Sequence, residues 1–163
     1  MNPIATHLPQ PEEPCTVLAV NLSEEDRSSA AGILSNSYWQ VLFVADCTNA
    51  YRIAEVTPSP IILCTPQMAD GSWNELMEGV RKLRHRSEVV VASKFADDHL
   101  WSEVLNLGGY DVLRTPFDSS ELLRTLFLAW VASKRETPET MGSLRKASSR
   151  ETQPQVKKFA ACS

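Results

Sequence analysis

The sequence holds 163 residues, 43% hydrophobic and 22% charged, with a net charge of −4, the composition of one ordinary globular domain with extensions. No run approaches the roughly 18 apolar residues needed to cross a bilayer, and the opening stretch, broken by Pro3, Pro9, Pro11 and Pro14, does not read as a secretory signal. Residues 1–133 carry 9 basic and 17 acidic side chains, which argues against a nucleic-acid surface, whereas residues 134–163 carry 7 basic and 3 acidic ones.

Residues 1–14 are expected to be a flexible leader, because proline at that density opposes helix and strand alike. The folded domain is expected over 15–133, and 134–163 reads as a disordered basic tail whose charges are scattered among Ser, Thr, Pro and Gln. Within the domain, TVLAV (Thr16 to Val20) predicts a first strand. Ser23 then caps a helix with Glu24, Glu25 and Asp26 in its first turn and Ala30, Ile33 and Leu34 on one face. WQVLFVA (Trp39 to Ala45) is the second strand, Asn49 to Val56 a short helix stopped by TPSP, and IILC (Ile61 to Cys64) the third strand. Ser72 caps a long helix with Leu76, Met77, Val80 and Leu83 inward. Arg81, Lys82, Arg84, His85 and Arg86 come towards its end, where cations complement the helix dipole; an anion-binding patch is the alternative reading. VVVAS (Val89 to Ser93) is the fourth strand. A helix from about Asp97 carries Leu100, Trp101, Val104, Leu105 and Leu107 and stops at Gly108 and Gly109. YDVLR is a short fifth strand, and Asp118 caps a last helix with Leu122, Leu123, Leu126, Phe127, Leu128, Trp130 and Val131.

Nearly continuous apolar strands alternating with amphipathic helices predict an α/β fold, a doubly wound five-stranded parallel sheet covered on both faces. In such sheets the working site lies at the C-terminal ends of the strands, here Asn21 and Leu22, Asp46, Thr65, Ser93, and Arg114 with Thr115. Cys15, Cys47, Cys64 and Cys162 show neither C-x-x-C pairing nor a histidine at metal spacing, and Cys47 and Cys64 read as small core residues in a reducing cytoplasm. His7, His85 and His99 are scattered, and Gly108-Gly109 does not form a phosphate cradle. Asp46 with Glu24 and Glu25 could gather a cation, although helix N-terminal acids plus a solvated loop charge account for them better.

Several segments carry a resemblance in order along the chain. VNLSEEDR, CTPQMADG with Met68, Asp70 and Gly71, VVVAS, and LGGYDVLRTPFDSSELL resemble the successive site segments of response-regulator receiver domains, the flavodoxin-like (βα)5 modules of bacterial two-component signalling. The resemblance covers about Thr16 to Ser133. It implies an aspartate at the end of the third strand that takes a phosphoryl group, two acidic residues after the first strand that hold Mg²⁺, a Ser or Thr after the fourth strand, and a lysine before the fifth loop's proline. In this chain the acceptor position is Thr65, the acidic pair falls on Asn21 and Leu22, and the lysine position before Pro116 is Thr115; Ser93 alone remains. The family's switch aromatic falls on Val112 and its proline after Met68 is Ala69. The resemblance also implies a cis Thr115-Pro116 bond.

Phosphoryl transfer depends on positioning and charge neutralisation, Mg²⁺ needs anionic oxygen ligands, and a threonine hydroxyl with no neighbouring base is not an activated nucleophile. The expectation is therefore a degenerate, stand-alone pseudo-receiver of a phosphorelay system. It is not an enzyme and takes no cofactor and no metal. It is cytoplasmic, engages neither membrane nor nucleic acid, and acts by binding a signalling protein such as a histidine kinase or another regulator, with a second copy of itself as a further candidate. The 30 residues after Ser133 are too few for an output domain. Trp101, Val112, Leu123, Phe127 and Trp130 form the candidate interaction face, because the last helix is more apolar than one buried face needs. The alternatives are a receiver phosphorylated at Asp70 or Asp46, or a small-ligand sensor using the crevice lined by Asn21, Thr65, Ser93 and Thr115.

Overall fold

The computed structural model describes residues 13–135, so all but the innermost two residues of the expected leader and of the expected tail lie outside the described residues. In chain order the elements are β1 (Cys15–Val20), α1 (Glu24–Leu34), β2 (Trp39–Val44), α2 (Cys47–Val56), β3 (Ile61–Cys64), β4 (Gln67–Met68), β5 (Gly71–Ser72), α3 (Trp73–Val80), β6 (Glu88–Ser93), α4 (Asp98–Leu107), β7 (Asp111–Arg114) and α5 (Ser119–Ser133). Five of the strands form one parallel sheet in the order β2-β1-β3-β6-β7.

The sheet is buried on both faces because its strands are apolar at odd and even positions alike. Leu18, Val20, Ile62, Cys64, Val89 and Val91 pack with α2, α3 and α4 through Ala50, Ala54, Leu76, Met77, Val80 and Val104. The intervening residues Val17, Ala19, Ile61, Leu63, Val90 and Ala92 pack with α1 and α5 through Ala30, Leu34, Leu122, Leu126 and Ala129. Each fully buried Leu or Ile in these two layers contributes about 1.5–3 kcal/mol relative to exposure.

Each helix is started by a side chain that the sequence supplies. Ser23, Asp46, Asp97 and Asp118 accept from the backbone N–H three residues on, and Ser72 with Glu75 makes a reciprocal capping box. Gly108 ends α4 at φ 102, a left-handed conformation that favours glycine. Thr115-Pro116 is cis. Among the described residues no helix is long and apolar enough to cross a membrane.

Two expectations need correction. α2 starts at Cys47, two residues before Asn49, because Asp46 is its cap, and β2 ends at Val44, one residue before Ala45. α3 stops at Val80 and is short; the chain leaves it through tight turns, Lys82 N–H to Gly79 O and Leu83 N–H to Val80 O, so the basic run 81–86 lies past the helix. Between Thr65 and α3 the chain forms an element for which no expectation was set, a two-residue antiparallel hairpin pairing Gln67 with Ser72 and Met68 with Gly71.

Candidate functional site

Strand order reverses at β1, which pairs with β2 on one side and β3 on the other, so the crevice of the sheet opens past the ends of β1 and β3. Asn21 follows β1 and adopts φ 61, the left-handed region that asparagine tolerates better than other side-chain-bearing residues. From there its Nδ2 donates to Thr65 Oγ1 at 2.8 Å and to Gln67 O at 3.0 Å, while Thr65 Oγ1 donates to the same Gln67 carbonyl at 3.1 Å. The crevice is thus tied shut by three neutral hydrogen bonds linking the β1 end, the β3 end and the β4–β5 hairpin. Gln67 was not singled out from the sequence, since it contributes only its carbonyl.

The remaining predicted residues separate. Leu22 is buried in the layer with Ala30, Ala92 and Leu113, so the second position of the expected acidic pair is a core residue and does not line the crevice. Ser93 Oγ accepts from Phe95 N–H at 3.0 Å, and Ser93 O accepts from Thr115 N–H at 3.1 Å. Thr115 is 5% exposed, and its hydroxyl has no hydrogen-bond partner among the described residues. Pro116 is exposed.

Two carboxylates stand nearby. Asp46 Oδ1 accepts from Asn49 N–H at 2.9 Å. Asp70, at the tip of the β4–β5 hairpin, takes Cys47 N–H at 2.9 Å on one oxygen and Thr48 N–H and Oγ at 3.0 and 2.8 Å on the other. Those donors, the Cys47 N–H foremost and then the Thr48 hydroxyl, hold the Asp70 carboxyl down at about 2. Burial, reinforced by the Asp70 charge, pushes the Cys47 thiol up to about 11, and burial raises Cys64 further. Thr48 is the partner that sequence reading missed; its place two residues after the Asp46 cap, among the first free N–H groups of α2, was the available signal. No three His, Cys, Asp or Glu side chains gather as a metal-ligand set among the described residues.

The expected interaction face is divided. Val112 is buried and packs in the α2–α3–α4 layer, so it does not present itself to a partner. Leu123, Phe127 and Trp130 are partly buried against the opposite layer, with the Phe127 and Trp130 rings 5.8 Å apart. Trp101 on α4 is about half exposed and donates from Nε1 to Asp111 Oδ1 at 3.3 Å; on α5 the exposed apolar side chain is Leu128.

No family model matches the sequence, and no curated protein does. Solved structures do match in fold. The signal receiver domain of an HD domain-containing protein from Pseudomonas fluorescens is 18% identical with a TM-score of 0.67, over 78% of this chain and 94% of that one. The chemotaxis response regulator CheY4 of Vibrio cholerae is 20% identical with a TM-score of 0.59, over 71% of this chain and 98% of that one. The beryllofluoride-activated NtrC4 receiver domain dimer is 21% identical with a TM-score of 0.66, over 73% of this chain and 98% of that one. The chain therefore has the flavodoxin-like (βα)5 fold of receiver domains.

Proposed function

We propose that this chain is a receiver-type signalling module of a phosphorelay system that acts by binding a partner protein and does not accept phosphate. The observation that carries this reading is the Asn21–Thr65 hydrogen bond of 2.8 Å at the switch point of the sheet. Where receivers of this fold place an acidic pair and an acceptor aspartate, this chain has an amide, a core leucine and a neutral hydroxyl, and the amide and hydroxyl bond to one another. Thr115 replaces the neutralising lysine with an uncharged, buried side chain. With no base beside it the Thr65 hydroxyl is not activated to attack phosphorus, the amide does not neutralise phosphoryl oxygens, and both bind Mg²⁺ more weakly than carboxylates do.

A carboxylate moved in register is the other reading of the site. Both candidates are already engaged at the N-terminus of α2, Asp46 with one donor and Asp70 with three. The three donors draw charge from the Asp70 oxygens and hold them against α2, which makes it a weaker nucleophile than a free carboxylate.

With no transferable group to carry, the module's signal is its contact surface. The partner is a signalling protein, a histidine kinase or another regulator, or a second copy of the chain; the NtrC4 receiver, of like fold, is a dimer. The test is intact-mass measurement after incubation with acetyl phosphate and Mg²⁺. No phosphate adduct is expected. An adduct that vanished in Asp70→Asn or Asp46→Asn would overturn the reading in favour of a shifted acceptor.

A further inference from the structure

Charge is polarised along the strand direction. All five helices begin at the C-terminal end of the parallel sheet, and that end exposes Glu24, Glu25, Asp97, Asp98, Asp118 and Glu121 against Arg27, Lys94 and Arg114. The opposite end carries the run 81–86, RKLRHR, which holds four of the nine Lys and Arg in residues 1–133. Arg86 pairs with Glu88 at 2.7 Å, but Lys82 and Arg84 are exposed with no ion pair among the described residues.

The basic run belongs to a larger surface. Ser87 Oγ donates to Ser59 O at 2.6 Å and Glu88 N–H to Pro60 O at 2.8 Å, which fastens the run to the α2–β3 loop just past Val56. The Arg81 guanidinium lies against Gly108, next to Leu107 at the end of α4. Val56 is 77% exposed and Leu107 is exposed too, so apolar side chains flank the cations, with Glu55, Glu78 and Glu88 the acids closest in sequence to this surface. The acidic end has its own apolar projection in Phe95, 81% exposed between Lys94 and Ala96.

One molecule thus presents two faces of opposite sign, at opposite ends of the sheet, each with an apolar side chain standing in solvent. We propose that the basic end, Lys82 and Arg84 with Val56 and Leu107, docks on the acidic end of a second copy around Phe95. The two surfaces differ, so the contact is heterologous and propagates head to tail instead of closing on a twofold axis. Its charges are exposed, so the association is weak and strongly salt-dependent. Both complementary surfaces are on this chain, which favours a second copy over an acidic partner of another kind; nucleic acid is disfavoured by the acidic remainder of the molecule.

Sedimentation equilibrium of the full chain tests this. Weight-average mass should rise at least twofold with concentration at about 0.02 M salt and return to the monomer at about 0.5 M, where screening reaches only a few ångströms. Lys82→Glu/Arg84→Glu and Phe95→Ala/Asp98→Lys should each remain monomeric, and an equimolar mixture of the two should regain association, since each supplies the intact end that the other lacks. Phe95→Ala, which alters no helix terminus, replaces the second variant if that variant melts early. A chain that stays monomeric at low salt overturns the proposal. So does self-association that persists in both double variants, as does a mixture that stays monomeric.

Discussion

Replacing Thr115 by valine should stabilise the protein, against the usual sign of a core substitution. Thr115 is 5% exposed, its N–H is held by Ser93 O, and its Oγ has no hydrogen-bond partner among the described residues. Burying a hydroxyl without a partner costs about 1–3 kcal/mol on mutational scales. Valine keeps the branched shape and almost the volume, so no cavity offsets the gain. The β-branch is retained, so the backbone preference is unchanged. Taking the low end for partial hydration, Thr115→Val should gain roughly 1 kcal/mol, or about 3–5 °C in melting temperature for a folded unit of this size. Thr115→Ser is the control. It keeps the hydroxyl and removes a methyl, and should lose about 0.8 kcal/mol. Urea unfolding monitored by tryptophan fluorescence reads both, as midpoint shifts at constant slope. If valine were neutral or destabilising, the hydroxyl would have a partner in solution, and the reading of the lysine position as chemically idle would fail. If it also abolished a ligand-induced thermal shift in a metabolite panel, the crevice would be a small-molecule site.

Three further outcomes follow from the geometry. The Asp70 carboxyl is lowered from 3.8 to about 2, so its stabilising effect is complete above the ordinary value and is lost as pH falls through about 2; thermal melts from pH 5 down to 2 should show the gap between the natural chain and Asp70→Asn closing, and a constant gap would refute the capping role. Gly79→Ala, which helix propensity alone would favour, should instead destabilise by about 1–3 kcal/mol in urea melts, because the new Cβ would stand 2.6 Å from Tyr51 Cζ and the Tyr51 hydroxyl is anchored on Glu75 O at 2.8 Å. With its thiol raised to about 11 by burial and by the Asp70 charge, Cys47 should resist maleimide in the native protein at pH 7, as should Cys64, and both should label on denaturation; rapid native labelling of Cys47 would mean that the hairpin over it opens.

How much of this the residues announced depends on what kind of signal each element carries. The five parallel strands were legible because runs such as IILC and VVVAS are short, β-branched and apolar at consecutive positions, the pattern of a sheet covered on both faces. Helix starts were legible wherever Ser or Asp stood three residues before a free N–H, and the same rule, applied to Asp46, would have moved α2 back to Cys47. The β4–β5 hairpin was not legible: two-residue strands have no periodicity, and what holds the hairpin is Asp70 reaching α2, a contact across 23 residues of sequence. α3 was read as too long because Leu83 continues its apolar spacing, yet Leu83 packs partly buried from a turn. Val112 looked like an interface residue by position alone; on a four-residue strand with a parallel neighbour on one side, alternation sends it into the α4 layer.

The neutral crevice also constrains how such a module could signal. A ligand shifts a conformational equilibrium only by the difference in its affinity for the two states. In a pocket of carboxylates that difference comes from phosphate and metal charge, which bind the rearranged loops far better than the resting ones. Here the β1 end, the β3 end and the hairpin are already joined through Asn21, Thr65 and Gln67 O, and the hairpin is fastened again to α2 through Asp70. Opening that cluster would trade these neutral bonds for bonds to water, with no new charge to drive the exchange. If the chain acts by binding a partner, as proposed above, the bias between states comes from a surface remote from the crevice, where that partner contacts one arrangement of the loops better than the other.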